Sequence, residues 1–179
     1  MILVKSKPSI FLLFVYFGLL IIMVSCGPNE EIVYYDNGNP KTVSEMHQGK
    51  REGLTTSYYE NGNLQGKILY RNDEENGRAT YYHQNGNVMQ EVDFVDGQIH
   101  GFLIEYSEDN IEKILTSFRD GVPHGKFVKF FPSSGKPAME GIHEEGKMVG
   151  TLSYYDREGR KLRECYFDKN EISTSCKDL

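Results

Sequence analysis

The chain has 179 residues, of which 39% are hydrophobic and 26% are charged, and this length suits one domain with short terminal segments. Twenty basic side chains stand against 26 acidic ones, which gives a formal net charge of −6 at pH 7. Because proteins that bind DNA or RNA draw much of their affinity from neutralising phosphates, this balance argues against a nucleic-acid partner.

Residues 1–25 have the layout of a signal peptide, which we expect to form a helix. Lys5 and Lys7 precede an apolar run at residues 10–24, and no acidic residue lies before Cys26. A helix over these 15 residues is about 22 Å long. The hydrocarbon core of a bilayer is roughly 30 Å thick, so a cleaved leader is favoured over a permanent anchor. An uncleaved signal anchor and a buried helix are the alternatives.

Met23-Val24-Ser25-Cys26 resembles the lipobox of bacterial lipoproteins, in which the cysteine is acylated and becomes the first residue of the mature chain. Residues 26–31 would then be a short tether. Because Lys5 and Lys7 leave with the leader, the mature chain would carry 18 basic and 26 acidic side chains, a net charge of −8. We therefore expect a protein held by lipid on Cys26 in the bacterial cell envelope, at the outer membrane or the cell surface.

From residue 32 to residue 170 the chain repeats a unit of 24 residues, with a single step of 25. Each copy has adjacent aromatic residues followed by an Asn-Gly or related turn, as in Tyr58-Tyr59-Glu60-Asn61-Gly62, and a second glycine series marks a return turn. This pattern predicts an all-β fold, an elongated single-layer antiparallel meander of six hairpins and about twelve strands. We expect residues 171–179 to be a C-terminal tail.

The doubled aromatic residues are candidate binding residues. Adjacent residues in a strand point to opposite faces, so we expect one aromatic ladder on each face. The Asn-Gly sequences suit tight turns because both residues tolerate positive φ. One ladder comprises Tyr35, Tyr59, Tyr82, Tyr106, Phe131 and Tyr155, and the other comprises Tyr34, Tyr58, Tyr81, Phe130 and Tyr154.

The aromatic-aromatic-x-Asn-Gly core and its spacing resemble the bacterial variants of the MORN repeat found in YwqK-type antitoxins. The resemblance covers almost all of the chain after the leader. It implies an elongated β-sheet module that contacts proteins or membrane lipids, and the antitoxin label implies a toxin as the partner. Because the chain carries an export signal, the partner that fits best is an exported or surface toxin.

The sequence predicts no catalytic site, no metal site and no cofactor. Among the histidines only His100 and His124 occupy the same position of the repeat, while His47 and His143 fall in other phases. Carboxylates are spread over turns, and the chain has no serine-hydrolase, zinc-protease or phosphate-loop motif. We expect a binding protein rather than an enzyme.

Cys165 and Cys176 are the thiols that remain once Cys26 is acylated. An exported chain meets an oxidising compartment, so they are a candidate disulfide that would close a loop of about 12 residues. The alternative is two unpaired cysteines, one in the last strand and one in a frayed tail.

Two classes of partner remain open. The first is a protein that packs on an aromatic face or adds a strand to an open sheet edge. The second is a glycan that stacks on exposed tyrosine rings. A glycan needs an aromatic ladder that is exposed as one contiguous surface, because sugar rings stack on such a platform. A protein partner does not need this, since it can also bind at an open sheet edge.

Overall fold

The computed structural model describes residues 4–6, 29–132, 134–168 and 173–179, and this part of the chain contains strands and no helix. Of the predicted leader, only Val4–Ser6 is described, and it is a strand; Cys26 and the rest of the leader lie outside the described residues. None of the elements in the described ranges is a helix with the length and apolar character needed to span a membrane.

The fifteen strands of the described chain form one open antiparallel sheet. Fourteen of them pair with their neighbours in chain order, and β6 pairs with β5 beside this path. The strands are β1 (Val4–Ser6), β2 (Asn29–Tyr34), β3 (Pro40–His47), β4 (Lys50–Tyr58), β5 (Leu64–Arg71), β6 (Glu74–Glu75), β7 (Gly77–Tyr82), β8 (Val88–Val95), β9 (Gln98–Tyr106), β10 (Lys113–Arg119), β11 (Val122–Phe130), β12 (Pro137–Glu144), β13 (Lys147–Tyr155), β14 (Lys161–Phe167) and β15 (Ser173–Asp178).

This architecture confirms the all-β meander. The six predicted hairpins are β2–β3, β4–β5, β7–β8, β9–β10, β11–β12 and β13–β14. The described chain has more than the expected twelve strands because β1, β6 and β15 add to these hairpins. The strand β15 lies within the segment that we expected to be a tail, and β2 begins three residues before the expected start of the repeat domain.

Two kinds of turn alternate along the meander. Within the second hairpin, the backbone N–H of Tyr59 donates to the carbonyl of Asn63, and the N–H of Gly62 donates to the carbonyl of Tyr59, both at 2.8 Å. Gly62 has a φ of 87°, whereas Asn61 keeps a negative φ. The Asn-Gly loops have three residues, and only the glycine adopts the positive φ that both residues tolerate.

The return turns between hairpins have two residues, both in the left-handed region. Asp96 and Gly97 have φ values of 48° and 76°. This is the geometry of a type I′ turn, whose twist matches that of the flanking strands. Consecutive return turns are also joined, since the N–H of Gly97 donates to the carbonyl of Glu75 at 2.9 Å.

The buried side chains lie mostly in one row that crosses the strands. Ala79 and Val92 lie opposite each other and are 0% and 2% exposed, and Leu152 lies opposite Cys165 in the same row. We call the face that holds this row face A. The opposite face, face B, has its best-buried side chain at Val128, which is 1% exposed. A single-layer sheet thus keeps a thin core on both faces.

The sheet ends at β15, which pairs with β14. In this register Cys165 lies opposite Cys176, and a disulfide bond joins them. Cys165 is buried, whereas Cys176 is exposed.

Candidate interaction surface

The aromatic pairs lie where the first strand of each hairpin ends. The last residue of that strand is aromatic in every hairpin, and these residues form a ladder on face B. The position that follows the strand starts the loop, which has three residues in four hairpins and four residues in the fourth and fifth hairpins, and it is aromatic in only some copies. The ladder on face B comprises Tyr34, Tyr58, Tyr82, Tyr106, Phe130 and Tyr155; the loop-starting residues are Tyr35, Tyr59, His83, Ser107, Phe131 and Asp156.

The two ladders predicted from the sequence mix these positions and are wrong in membership. Tyr81 and Tyr154 lie one residue before the strand end and point to face A. The prediction aligned the aromatic pairs, but the turns determine the register. In the third and sixth copies the pair begins five residues before the turn glycine, and in the first and second copies it begins four residues before it.

The loop-starting residues join each hairpin to the next one. The Tyr35 hydroxyl donates to the backbone carbonyl of Tyr58 at 2.8 Å, and the Tyr59 hydroxyl donates to that of Tyr82 at 2.7 Å. His83 Nε2 lies 3.1 Å from the carbonyl of Tyr106. All eleven residues of the predicted ladders are half-buried. Neither ladder is therefore an exposed contiguous platform.

On face B the ladder packs against charged side chains. Lys113 Nζ lies 5.7 Å from the ring centroid of Tyr106 and 5.3 Å from that of Phe130. The Tyr106 hydroxyl donates to the Glu91 carboxylate at 3.1 Å, and burial together with this hydrogen bond raises the pKa of Tyr106. The Tyr155 hydroxyl donates to Glu140 at 3.2 Å. These contacts hold the ladder rings against the sheet.

Four of the nine exposed large apolar side chains of the described residues lie in another row of face B. One position of this face recurs on the second strand of each hairpin at residues 45, 69, 93, 117, 142 and 166, at intervals of 24 with one of 25. Leu69, Ile142 and Tyr166 at this position are 42%, 54% and 51% exposed. Phe102, opposite Ser117 in the same row, is 46% exposed. We call Leu69, Phe102, Ile142 and Tyr166 the exposed row.

The predictions from the sequence do not include this row, although the repeat interval contains it. The 24-residue interval that revealed the aromatic pairs also places Leu69, Ile142 and Tyr166 at one position. Polar residues at the same position in other copies hid the pattern. Exposure distinguishes this row from the buried rows, and periodicity by itself does not report exposure.

Two cavities flank Ile142 and together form a groove across β11–β14, which we call the Ile142 groove. Their volumes are about 410 Å³ and 390 Å³. The Lys126 ammonium and the Glu140 carboxylate lie 3.7 Å apart on one side of the groove. The first cavity is lined by Lys126, Glu140, Ile142, Thr151, Ser153 and Tyr155, and the second by Ile142, Glu144, Val149, Thr151, Tyr166, Phe167 and Asp168.

A fixed ion pair separates Leu69 from Phe102 in the row. Arg78 Nε and Nη2 donate to the two carboxylate oxygens of Asp93 at 2.9 Å and 3.2 Å. The hydrogen bond from Arg78 holds the pKa of Asp93 below its usual range. The row is therefore amphipathic, because ion-paired side chains lie between its exposed apolar side chains.

The described residues contain no group of three or more His, Cys, Asp or Glu side chains arranged to hold a metal ion. His100 Nδ1 lies 3.2 Å from Asp120 Oδ1 at a return turn, and both side chains are exposed. His124 lies at the next turn, near Glu144 and Glu145. Both histidines lie near return turns at the same side of the sheet, as their shared position in the repeat indicates.

Comparison with protein families identifies the repeat in the middle of the chain. The family described as MORN repeat variant matches residues 51–72 and 75–96. Residues 51–72 and 75–96 are therefore similar to MORN repeats. Each matched segment contains one hairpin. The first and sixth hairpins show the same loop hydrogen bonds, whereas the loops of the fourth and fifth hairpins are one residue longer. MORN repeats are generally modules for protein or membrane contact, which is consistent with a non-catalytic role. No curated protein matches the chain.

Proposed function

We propose that this MORN-repeat chain is a lipid-anchored lipoprotein of the bacterial cell envelope that binds a protein partner and has no catalytic activity. Acyl chains on Cys26 would hold it at the outer membrane or the cell surface. The observation that carries the binding role is the exposed row, whose four large apolar side chains lie on face B and are 42% to 54% exposed. Exposed apolar side chains that share one face and are rimmed by polar residues suit contact with a partner.

The dimensions of the row favour a macromolecular partner. From Leu69 on β5 to Tyr166 on β14 the row crosses eight strand intervals, which is about 38 Å at the usual interstrand spacing. Protein interfaces combine apolar anchors with a polar rim, and this row likewise places charged side chains beside apolar ones. The Ile142 groove, at the C-terminal end of the row, suits one large apolar side chain of the partner.

A glycan-binding surface lipoprotein is the second proposal, and the exposed rings of Phe102 and Tyr166 are the observation that favours it. A sugar platform needs neighbouring exposed rings. These two rings lie five strand intervals apart, about 24 Å, and the ladder rings between them are half-buried. A protein partner is therefore the better fit.

We further propose an antitoxin-like or immunity-like role towards an exported or surface toxin. The resemblance to YwqK-type antitoxins supports this role, and the signal-peptide layout before Cys26 supports the location of the partner. The exposed row would be the surface that contacts the toxin.

Replacing Cys26 by Ala tests the anchor. The variant should move from the membrane fraction to the soluble fraction and should lose labelling by radioactive palmitate. Asn29→Ala, three residues further along, is the matched control and should stay on the membrane. Retention of C26A on the membrane would favour an uncleaved signal anchor instead.

A photo-crosslinking residue placed at Ile142 tests the binding surface in cells. It should form a discrete protein adduct, whereas the same residue at Ile111 should not, because Ile111 is 40% exposed but lies in a hairpin loop outside the row. Ile142→Asp should abolish capture of that adduct partner, and Ile111→Asp should preserve it. Equal crosslinking at both positions would contradict a specific surface in the row.

A further inference from the structure

β15 is attached to β14 by backbone pairing and by one covalent bond. Its sequence, Ser-Thr-Ser-Cys-Lys-Asp, has no large apolar residue. The Arg163–Asp178 pair is 3.6 Å long with both side chains exposed, so it contributes little. Backbone pairing includes the bond from the Leu179 N–H to the Leu162 carbonyl at 2.9 Å, and the disulfide joins Cys165 to Cys176.

The neighbouring strand, β14, differs from β15 because it carries large apolar side chains. Leu162 and Tyr166 of β14 are 49% and 51% exposed and lie on face B, while Cys165 is buried on face A opposite Leu152. Strand edges with exposed apolar side chains invite pairing with another chain, and natural proteins cover them with short polar strands. β15 is short and polar, as such a protecting strand is, and without it the backbone groups of β14 that face it would be unpaired.

We propose that β15 is a disulfide-locked cover and that reduction frees the edge of β14 to pair with β14 of a second copy. Antiparallel pairing centred on Glu164 would put each Leu162 opposite Tyr166 of the second copy, on the same face. Lys161 Nζ lies 2.5 Å from the Glu164 carboxylate within each chain and offsets the repulsion between the two central carboxylates.

The opening step is a two-electron exchange with a dithiol reductant. One thiolate of the reductant attacks the Sγ of Cys176, the exposed residue of the pair, the Cys165–Cys176 bond breaks, and the Cys165 thiolate leaves and takes a proton. The second thiol of the reductant then displaces Cys176 as a thiolate, which also takes a proton. The reductant ends as a cyclic disulfide, and the protein ends with two thiols. An oxidising compartment keeps the cover closed, and a reducing one opens it.

The test uses a chain that starts at Gly27 and therefore lacks Cys26. It keeps the described core, because the buried side chains lie between Ser44 and Cys165. Mass is measured by light scattering after size-exclusion chromatography, with and without a dithiol. We expect a monomer without the dithiol and a doubled mass with it. Cys176→Ser, kept in dithiol to prevent intermolecular disulfides, should also show the doubled mass.

A proline identifies the edge that pairs. The bond between Leu179 and Leu162, together with the alternation of antiparallel pairs, places the Glu164 N–H towards β15 and away from β13. Glu164→Pro should therefore remain monomeric in dithiol, while Glu164→Ala, which keeps the N–H, should still double its mass.

Three results would overturn the proposal. They are a monomeric wild-type chain in dithiol with its sheet circular-dichroism signal intact, a dimer that persists in Glu164→Pro, and loss of the sheet signal when the disulfide is reduced. If Cys176→Ser does not fold, the wild-type chain with and without dithiol decides the question. The proposal stands independently of the partner at the exposed row.

Discussion

At the scale of single residues, the loop-starting position decides how neighbouring hairpins are joined. Tyr35, Tyr59 and His83 reach the backbone of the next hairpin. Ser107 and Asp156 are shorter and serve their own loops, where the Ser107 hydroxyl accepts from the Glu112 N–H and the Asp156 carboxylate accepts from the Arg160 N–H, both at 2.8 Å. The first half of the sheet therefore has more side-chain bonds between hairpins than the second.

Tyr59→Phe removes the hydroxyl that donates to the Tyr82 carbonyl and leaves this half-buried acceptor without that bond. We expect a loss of about 1 kcal/mol in the free energy of unfolding, measured by urea denaturation. Tyr58→Phe is the matched control, because only the backbone carbonyl of Tyr58 takes part in the corresponding bond with Tyr35. An equal loss in both variants would refute a specific role for the Tyr59 hydroxyl.

The Arg78–Asp93 pair makes stability depend on pH. Because the pKa of Asp93 is lowered in the folded state, its contribution is present above the ordinary value of 3.8 and is lost as pH falls through the lower folded value. Arg78→Gln should therefore be less stable than wild type above pH 3.8, and the difference should shrink in more acidic solution.

Carboxyl titration by NMR checks the cause. The pKa of Asp93 should rise in Arg78→Gln, because the largest cause of the shift is the hydrogen bond from Arg78. Arg119→Gln removes another exposed cation and should leave the Asp93 titration in place. An unchanged Asp93 pKa in Arg78→Gln would show that the pair does not form in solution.

At the scale of strands and turns, the sequence predicts the hairpins because each uses local chemistry. A turn glycine every 24 residues and alternating segments are enough to place the six hairpins. Aligning the copies on the aromatic pairs gave the wrong register, although the distance from each pair to its turn glycine differs between copies. The hydrogen bonds of the loop, as between His83 and Asn87, show which aromatic residue ends the strand.

β15 shows a second limit. The segment Ser173–Asp178 is polar and lacks the repeat motif, so it reads as a tail. It becomes a strand because β14 offers an unpaired edge and Cys176 lies opposite Cys165. Both causes are tertiary and leave no periodic pattern. Only the pair of cysteines indicated that the C-terminal segment is tied to the last hairpin, and a disulfide by itself does not predict a strand.

Strand β8 offers a matched test of the thin core. Val92 is 2% exposed on face A, and Val95 at the end of the same strand is 48% exposed. Val92→Ala should lower the free energy of unfolding by about 2 kcal/mol through lost burial and a residual cavity. Val95→Ala should stay within about 0.5 kcal/mol of wild type. Thermal unfolding measures both, and similar losses would mean that the row around Val92 is not the core.

At the scale of the whole molecule, the sheet is open and its two faces have separate roles. Face A carries most of the buried side chains, whereas face B carries the ladder and the exposed row. Because no second layer in the described chain packs on face B, a partner can contact many hairpins at once. The repeat thus extends a surface along the sheet rather than enclosing a pocket.

The charge of the molecule bears on whether this surface meets lipid. After loss of the leader the net charge would be −8, and a basic residue near an anionic surface contributes only about 1 kcal/mol. The densest basic segment, residues 157–163, is largely paired: Arg160 Nε lies 2.7 Å from Asp156, Lys161 contacts Glu164, and Arg163 Nε lies 3.6 Å from Asp178. Its cations are therefore partly neutralised before any lipid approaches.

We therefore expect a chain that starts at Gly27 to remain in the supernatant when it is centrifuged with anionic liposomes at physiological salt. Neutral liposomes serve as the control and should give the same result, because neither surface attracts an acidic domain. Salt-sensitive co-sedimentation that disappears when Arg157, Arg160, Lys161 and Arg163 are all changed to Gln would refute this expectation. Such a result would mean that the local ion pairs open at the membrane and that local charge outweighs net charge.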